Sequence, residues 1–252
     1  MDAAFDARRI ASDWPLFLGG QGKKLPPALV AAIGAFEAAD AVAEPSAAAI
    51  NVNAVTADTA AQAVADAVDA AARSGVFHAA KTTVVDALGR RVLGEAIAAV
   101  PEAFATMTPE MDAAVKELTE AVDDLPDLIT DSALVAAGPA VLESYRRALD
   151  AQRVLNRLDG FVSSIPGGHA HSAAQLHVLR LLAPTSRAEY GGLLDVAVTR
   201  GKRPDLNPLW IYAVKNNIAF ELNGPARQRE IADEINSTPV VKKPVQFAQL
   251  GR

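Results

Sequence analysis

Alanine decides which folds are open to this chain. It supplies 53 of the 252 residues, 31 of them within the first 100, whereas aromatic residues make up 5%. Alanine has the highest intrinsic helix propensity and adds almost no bulk. Such a chain favours helices that approach closely through small side chains over sheets, which draw on β-branched and aromatic residues. The expected class is mainly α: a helical bundle-like core, then an irregular C-terminal region and an extended C-terminal arm. The 50% hydrophobic content overstates the core, because each alanine buries little surface. Larger apolar residues gather in a few seams, chiefly 84–97, 111–125, 142–158 and 176–182. The length suits one large domain or two small ones.

Proline and glycine divide the chain into expected helices. Asp6–Trp14 carries Phe5, Ile10 and Trp14 on roughly one side, and Pro15 with the run Gly19–Lys24 is expected to end it. Pro26-Pro27 opens a helix to about Ala43. Thr56 or Asp58 caps the next, to about Arg73, with Val64 and Val68 as its apolar pair and Ser74-Gly75 as its stop. Val76–Ala99 follows, ended by Pro101. Gly89 and Gly94 weaken that helix unless another helix passes close to them. Thr108-Pro109-Glu110 then reads as a fresh start, and Pro126 as its end. Pro139 opens a helix to Asp159, with Gly160 as the residue just past its end. Ser172 and Gln175 form a capping box for a helix to Leu182. Gly191-Gly192 interrupts a further start at Ser186. Leu193–Val198 fits helix or strand, Asn207-Pro208 begins a helix ended by Asn216-Asn217, and Ile218–Leu222 fits a strand or a helical turn. Pro225–Ile235 reads as a polar helix.

Charge is polarised. Residues 1–139 hold 9 Lys and Arg against 20 Asp and Glu, and residues 140–252 hold 15 against 10. Three regions are expected on this basis: an acidic, Ala-rich helical region over 1–135, a basic helical region over 136–236, and the arm over 237–252.

The absence of cysteine excludes disulfides, thiolate metal ligands and a cysteine nucleophile. No apolar run reaches about 18 residues, so no membrane span is expected. The acidic start, Met1-Asp2, lacks the basic and then apolar pattern of a secretory signal, so a cytoplasmic or virion-like setting is expected. The run Gly19-Gly20-Gln21-Gly22-Lys23-Lys24 fails as a phosphate-binding loop: Phe17 stands where the first glycine belongs and Lys24 where Ser or Thr would reach magnesium. No Gly-x-Ser-x-Gly elbow is present, nor a Gly-x-Gly-x-x-Gly turn after a strand. No catalytic residue and no cofactor is assigned.

Four groups of residues remain as candidates. Met111, Val115, Leu118, Val122 and Leu125 recur at heptad-like spacing and form a candidate self-association seam. Val240, Val241, Lys242, Lys243, Val245 and Phe247 alternate in a proline-flanked arm suited to docking on a partner protein. Arg146, Arg147, Arg153 and Arg157, with Arg200, Lys202 and Arg203, are the candidate nucleic-acid contacts. His169, His171 and His177 crowd into nine residues and are the candidate metal ligands, although no carboxylate lies nearby in sequence to orient them.

In its Ala-rich helices, lack of cysteine, acidic front, basic end and extended arm, the chain resembles phage scaffolding proteins. That resemblance implies an assembly role and transfers no functional residue. The expected function is a non-enzymatic structural or assembly protein, self-associating as a homo-oligomer or larger assembly and docking a protein partner with its arm. The alternatives are a nucleic-acid-associated helical protein and a metal-dependent enzyme at the three histidines.

Overall fold

The apolar spacing of the first residues already dictates how the chain begins to pack. Ala3, Ala7, Ile10, Trp14 and Leu18 recur every three or four residues, and all five are buried along one side of α1 (Ala3–Gly19). The computed structural model describes residues 3–19, 24–43, 55–56, 58–126, 129–167, 176–198 and 206–237. These are mainly helical, and no helix among them is long and apolar enough to cross a membrane. By packing rather than by charge, the chain divides into two compact units, Met1–Thr106 with Ser164–Pro166, and Met107–Ser163 with Gly167–Arg252.

In the first unit, α1 runs on through Pro15 instead of stopping there. Burial of Trp14 and Leu18 on either side of the proline outweighs the missing hydrogen bond. α2 (Pro27–Asp40) starts with proline in its first turn and buries Leu29, Ala32, Ile33 and Phe36. Arg8 of α1 grips Asp40 with two bonds of 2.8 Å each, Nε to Oδ2 and Nη2 to Oδ1. The Arg8 hydrogen bonds hold the Asp40 carboxyl below its ordinary value.

The largest departure from expectation is α3 (Ala60–Asp123), a single helix of 64 residues. Ser74-Gly75 does not stop it, Pro101 does not end it, and Thr108-Pro109 does not begin another. A proline inside a helix frees the carbonyl four residues earlier, here those of Ile97 and Ala105. Both prolines and both of these residues are exposed, so water can satisfy the freed carbonyls. Proline as a residue type signals a break whichever side of the helix it occupies.

Gly89 is a close approach of the kind foreseen. A Cβ there would lie 2.9 Å from the carbonyl oxygen of Ala3, so α1 begins directly against α3. Gly94 has open space around its Cα. Gly94→Ala is therefore expected to stabilise the first unit by about 0.5–1 kcal/mol through helix propensity. Gly89→Ala should destabilise it by about 1–3 kcal/mol, because backbone must give way. Urea unfolding of the two variants checks the opposite signs.

The second unit takes α3 from Met107 onwards. A short helix that the sequence pattern did not announce, α4 (Asp131–Ala137), is capped by Thr130, whose Oγ1 accepts from the Ala133 N–H at 3.2 Å. Gly138 follows with φ of +95°, a conformation glycine adopts without strain, and Pro139 starts α5 (Pro139–Ser164). α5 passes through Gly160, the expected stop, because Phe161 and Val162 are buried and extend its apolar stripe by a turn.

Over the described residues 177–182 the helix expected up to Leu182 does not continue; its expected start at Ser172 and Gln175 lies outside the described residues. His177–Leu179 is one 3-10 turn, and Leu182–Ala183 is a strand, β1. β1 pairs antiparallel with β2 (Ala219–Phe220), Leu182 opposite Phe220 and Ala183 opposite Ala219. Buried Asn223 ties this region together. Its side-chain amide donates to the carbonyls of Leu179 at 2.9 Å and Leu182 at 3.2 Å, and its backbone N–H donates to that of Arg180 at 2.9 Å. Gln228 Nε2 donates to the Asn223 carbonyl at 2.7 Å.

α6 (Arg187–Val198) runs through Gly191-Gly192 and resolves Leu193–Val198 as helix. Gly192 makes room for the Tyr212 hydroxyl, which would lie only 1.8 Å from a Cβ at that position. α7 (Pro208–Lys215) has the expected cap, Asn207 Oδ1 accepting from the Leu209 N–H at 3.0 Å. It is tied to α5 by Trp210 Nε1 donating to Asn156 Oδ1 at 2.9 Å. It ends at Asn216-Asn217, the latter with φ of +53°. α8 (Pro225–Ser237) is the expected polar helix.

Candidate functional site

The heptad-like seam is occupied from within. Met111, Leu118 and Val122 are buried and Val115 and Leu125 half-buried. Across from it runs α5, antiparallel, with Ala148, Ala151, Leu155 and Leu158 buried. The direction is fixed by charge. Glu110, early in the seam, pairs with Arg157, late in α5. Glu117, Glu120 and Asp124 converge on Arg147 at 3.5, 3.9 and 3.6 Å, and Ser144 Oγ donates to Asp124 at 2.7 Å. A second copy could use this seam only by displacing α5, so it is not a free association face.

The same pairing engages the arginines singled out for nucleic acid. Arg147 and Arg157 face the α3 carboxylates, Arg146 pairs with Glu143 at 3.8 Å, and Arg153 with Asp150. A phosphate backbone would have to compete with carboxylates at all four. Arg200, Lys202 and Arg203 lie outside the described residues, as do His169 and His171 and the whole of the arm Val240, Val241, Lys242, Lys243, Val245 and Phe247.

His177 sits on the 3-10 turn, near Asp159 and Arg180. Arg180 Nη1 donates to Asp159 Oδ2 at 3.2 Å. Burial pushes the Asp159 carboxyl above the ordinary aspartate value of 3.8, opposed by the charges of Arg180 and His177. Among the described residues no group of three or more histidines and carboxylates could hold a metal ion.

The two perturbed carboxyls act in opposite senses on stability. Asp159 binds its proton more tightly folded than unfolded, so ionisation weighs against folding, and that penalty lifts as pH falls through its folded pKa. Asp40 binds its proton less tightly when folded, so its contribution is present above 3.8 and is lost as pH falls through its lowered pKa. Carboxyl carbon titration by NMR should therefore place Asp159 above that value and Asp40 below it.

A cleft of about 660 Å³ in the first unit is lined by Arg8, Asp40, His78, Lys81 and Asp86, among others. Four of its charged groups are engaged: Arg8 holds Asp40, Lys81 Nζ donates to the Val42 carbonyl at 2.7 Å, and Asp86 pairs with Arg90.

The start of α3 buries no side chain, although Phe77, His78, Lys81 and Thr82 line that cleft. No residue from Ala60 to Val84 is buried, and Val64, Val68, Val76 and Val84 are 63, 61, 70 and 50% exposed. The sequence pattern pairs Val64 with Val68 and places Val84, Val85, Val92 and Ile97 together in a seam. The structure buries Val85 and Val92 and leaves the other four exposed. At about 100° per residue, Ala61, Val64, Val68, Ala71, Gly75, Ala79 and Thr82 share one side of the helix. Gln62, Asp66, Asp69 and Arg73 share the opposite side, where they bond to one another, Gln62 to Asp66 at 2.8 Å and Arg73 to Asp69 at 3.4 Å. An exposed, uncharged side facing away from a self-paired polar ladder is the pattern of a surface that is covered by something else. Comparison with known protein families, curated proteins and solved structures finds no match for this chain.

Proposed function

We propose that this protein is a non-enzymatic assembly component that associates with a second copy through the uncharged side of α3 between Ala60 and Thr83. The observation that carries this reading is the 25-residue stretch Ala60–Val84 without one buried side chain, whose apolar side excludes charge. Covering an exposed valine contributes roughly 1.5 kcal/mol or more, and a pair of copies covers each one twice. The arm 237–252 is the second working part, docking a different protein. Within this reading the assembly is of the kind served by phage scaffolding proteins, and the chain needs no cofactor.

Mass in solution tests it. The native chain should be a dimer or larger at micromolar concentration, and Val64→Asp with Val68→Asp should give a monomer that keeps the helical circular dichroism of its folded units. Truncation after Ser237 should abolish docking of the other protein and leave self-association intact. A native chain that stays monomeric would remove the proposal.

A further inference from the structure

We infer that Asn223-Gly224 is a deamidation site which the fold keeps shut, and that its conversion, once the segment opens, is a one-way exit from the native state.

The chemistry lies in the sequence. Asn223 is followed by Gly224. In an open chain the Gly224 backbone nitrogen gives up its proton and attacks the Asn223 side-chain carbonyl carbon. A C–N bond forms to close a five-membered succinimide, the Cγ–Nδ2 bond breaks, and ammonia leaves. Water then opens the ring at either carbonyl, giving aspartate or isoaspartate. One water enters and one ammonia departs, with no oxidant or cofactor. Glycine favours the closure, because no Cβ stands beside the attacking nitrogen. Asn216 and Asn217 are followed by Asn217 and Ile218, whose side chains hinder the same attack.

The native structure opposes each step. Asn223 is fully buried, away from the water that carries off the proton and opens the ring. Its amide nitrogen is held by the carbonyls of Leu179 at 2.9 Å and Leu182 at 3.2 Å. Ring closure draws Cγ to bonding distance of the Gly224 nitrogen and so pulls the amide off both. The backbone on either side is pinned as well. The Asn223 N–H donates to the Arg180 carbonyl at 2.9 Å, Gln228 Nε2 donates to the Asn223 carbonyl at 2.7 Å, and the Gln228 N–H donates to the Gly224 carbonyl at 3.0 Å.

Neither product fits the place it came from. Aspartate keeps the shape but sets a buried carboxylate oxygen against the carbonyl oxygens of Leu179 and Leu182. Isoaspartate routes the main chain through Cβ, one methylene longer, and displaces the carbonyl that accepts from Gln228. A chain that stays open long enough to react therefore does not reclose.

The full-length chain, held in mildly alkaline buffer with and without guanidinium chloride, tests this by mass spectrometry of the tryptic peptide 216–227. In guanidinium the peptide should gain one mass unit, placed on Asn223 by fragmentation. In native buffer the gain should be at least about a hundredfold slower, a ratio set by how seldom the segment opens. Gly224→Ala, compared in guanidinium where folding plays no part, should slow the conversion at least about tenfold. After dilution from guanidinium, the refolded fraction should be depleted of converted Asn223 and the unfolded fraction enriched in it. Equal rates with and without guanidinium would overturn the guarding by the fold. No conversion in guanidinium, or conversion indifferent to Gly224→Ala, would overturn the site. Converted chains refolding in the same proportion as unconverted ones would overturn the one-way exit.

Discussion

Leu118→Ala is expected to lower the unfolding free energy of the second unit by about 2–5 kcal/mol and to leave the mass in solution unchanged. Leu118 is fully buried at the middle of the seam between α3 and α5. The seam is held in register by Arg157 on Glu110 at one end and by Arg147 on three carboxylates at the other. Removing the leucine leaves a void that two regular helices pinned by ion pairs cannot close, so the upper part of the range is the more apt. Those ion pairs are themselves partly exposed, and each is worth at most about 1 kcal/mol. They set direction and register, and the apolar stripe supplies the stability. Val64→Ala provides the contrast. Exposed in the single chain, it should change monomer stability by less than about 0.5 kcal/mol while weakening association. Thermal unfolding beside a sedimentation measurement on both variants separates a seam that holds the chain together from a side that recruits another copy.

Asn223→Ala should cost about 2–4 kcal/mol, although it removes little apolar volume. The Asn223 side chain is fully buried and supplies the hydrogen-bond donors that reach the carbonyls of Leu179 and Leu182. Alanine would leave both acceptors without that donor in a place water does not reach, and each loss costs about 1–3 kcal/mol. The gain in the native state is reduced by its Oδ1, which is buried with no partner among the described residues. This keeps the expected loss below the sum of two full bonds. Asn223→Asp should be worse than alanine, since it points a carboxylate at two carbonyl oxygens. The loss should also appear locally. The Glu221 N–H, bonded to the Leu181 carbonyl at 3.0 Å beside the short strand pair, should lose protection from hydrogen exchange in both variants.

The legible part of the fold was the part whose signals are local. Asn207-Pro208 caps and starts α7, Pro27 starts α2, and the 3- and 4-residue spacing of Leu118, Val122 and their neighbours marks a buried stripe. The misreadings were of breakers. Pro15, Pro101, Pro109 and Gly160 all lie inside helices, because the exposed side of a helix tolerates a lost hydrogen bond and a continuing apolar stripe outweighs it. Asp131–Ala137 was illegible because one cap by Thr130 on seven residues leaves almost no periodicity to detect. The side at the start of α3 was hidden for a different reason. An Ala and Val repeat looks the same whether its cover comes from the same chain or another, so the seam at Met111–Leu125 and the side at Ala61–Thr82 could not be told apart by pattern. The decisive quantity was exposure in three dimensions.

The two ends of α3 hold their shape by different means. From Val85 onwards the helix has buried residues along it, whereas from Ala60 to Val84 it has none and depends on alanine propensity and a few side-chain pairs. With no buried residue to anchor it, this end of the helix is the part of α3 most open to fraying. If copies associate through this stretch as proposed, pairing would protect it from fraying, so its ordered fraction would be tied to how much protein is present. Assembly would then be sensed by the backbone itself, with helix content rising as copies accumulate and without any separate switch.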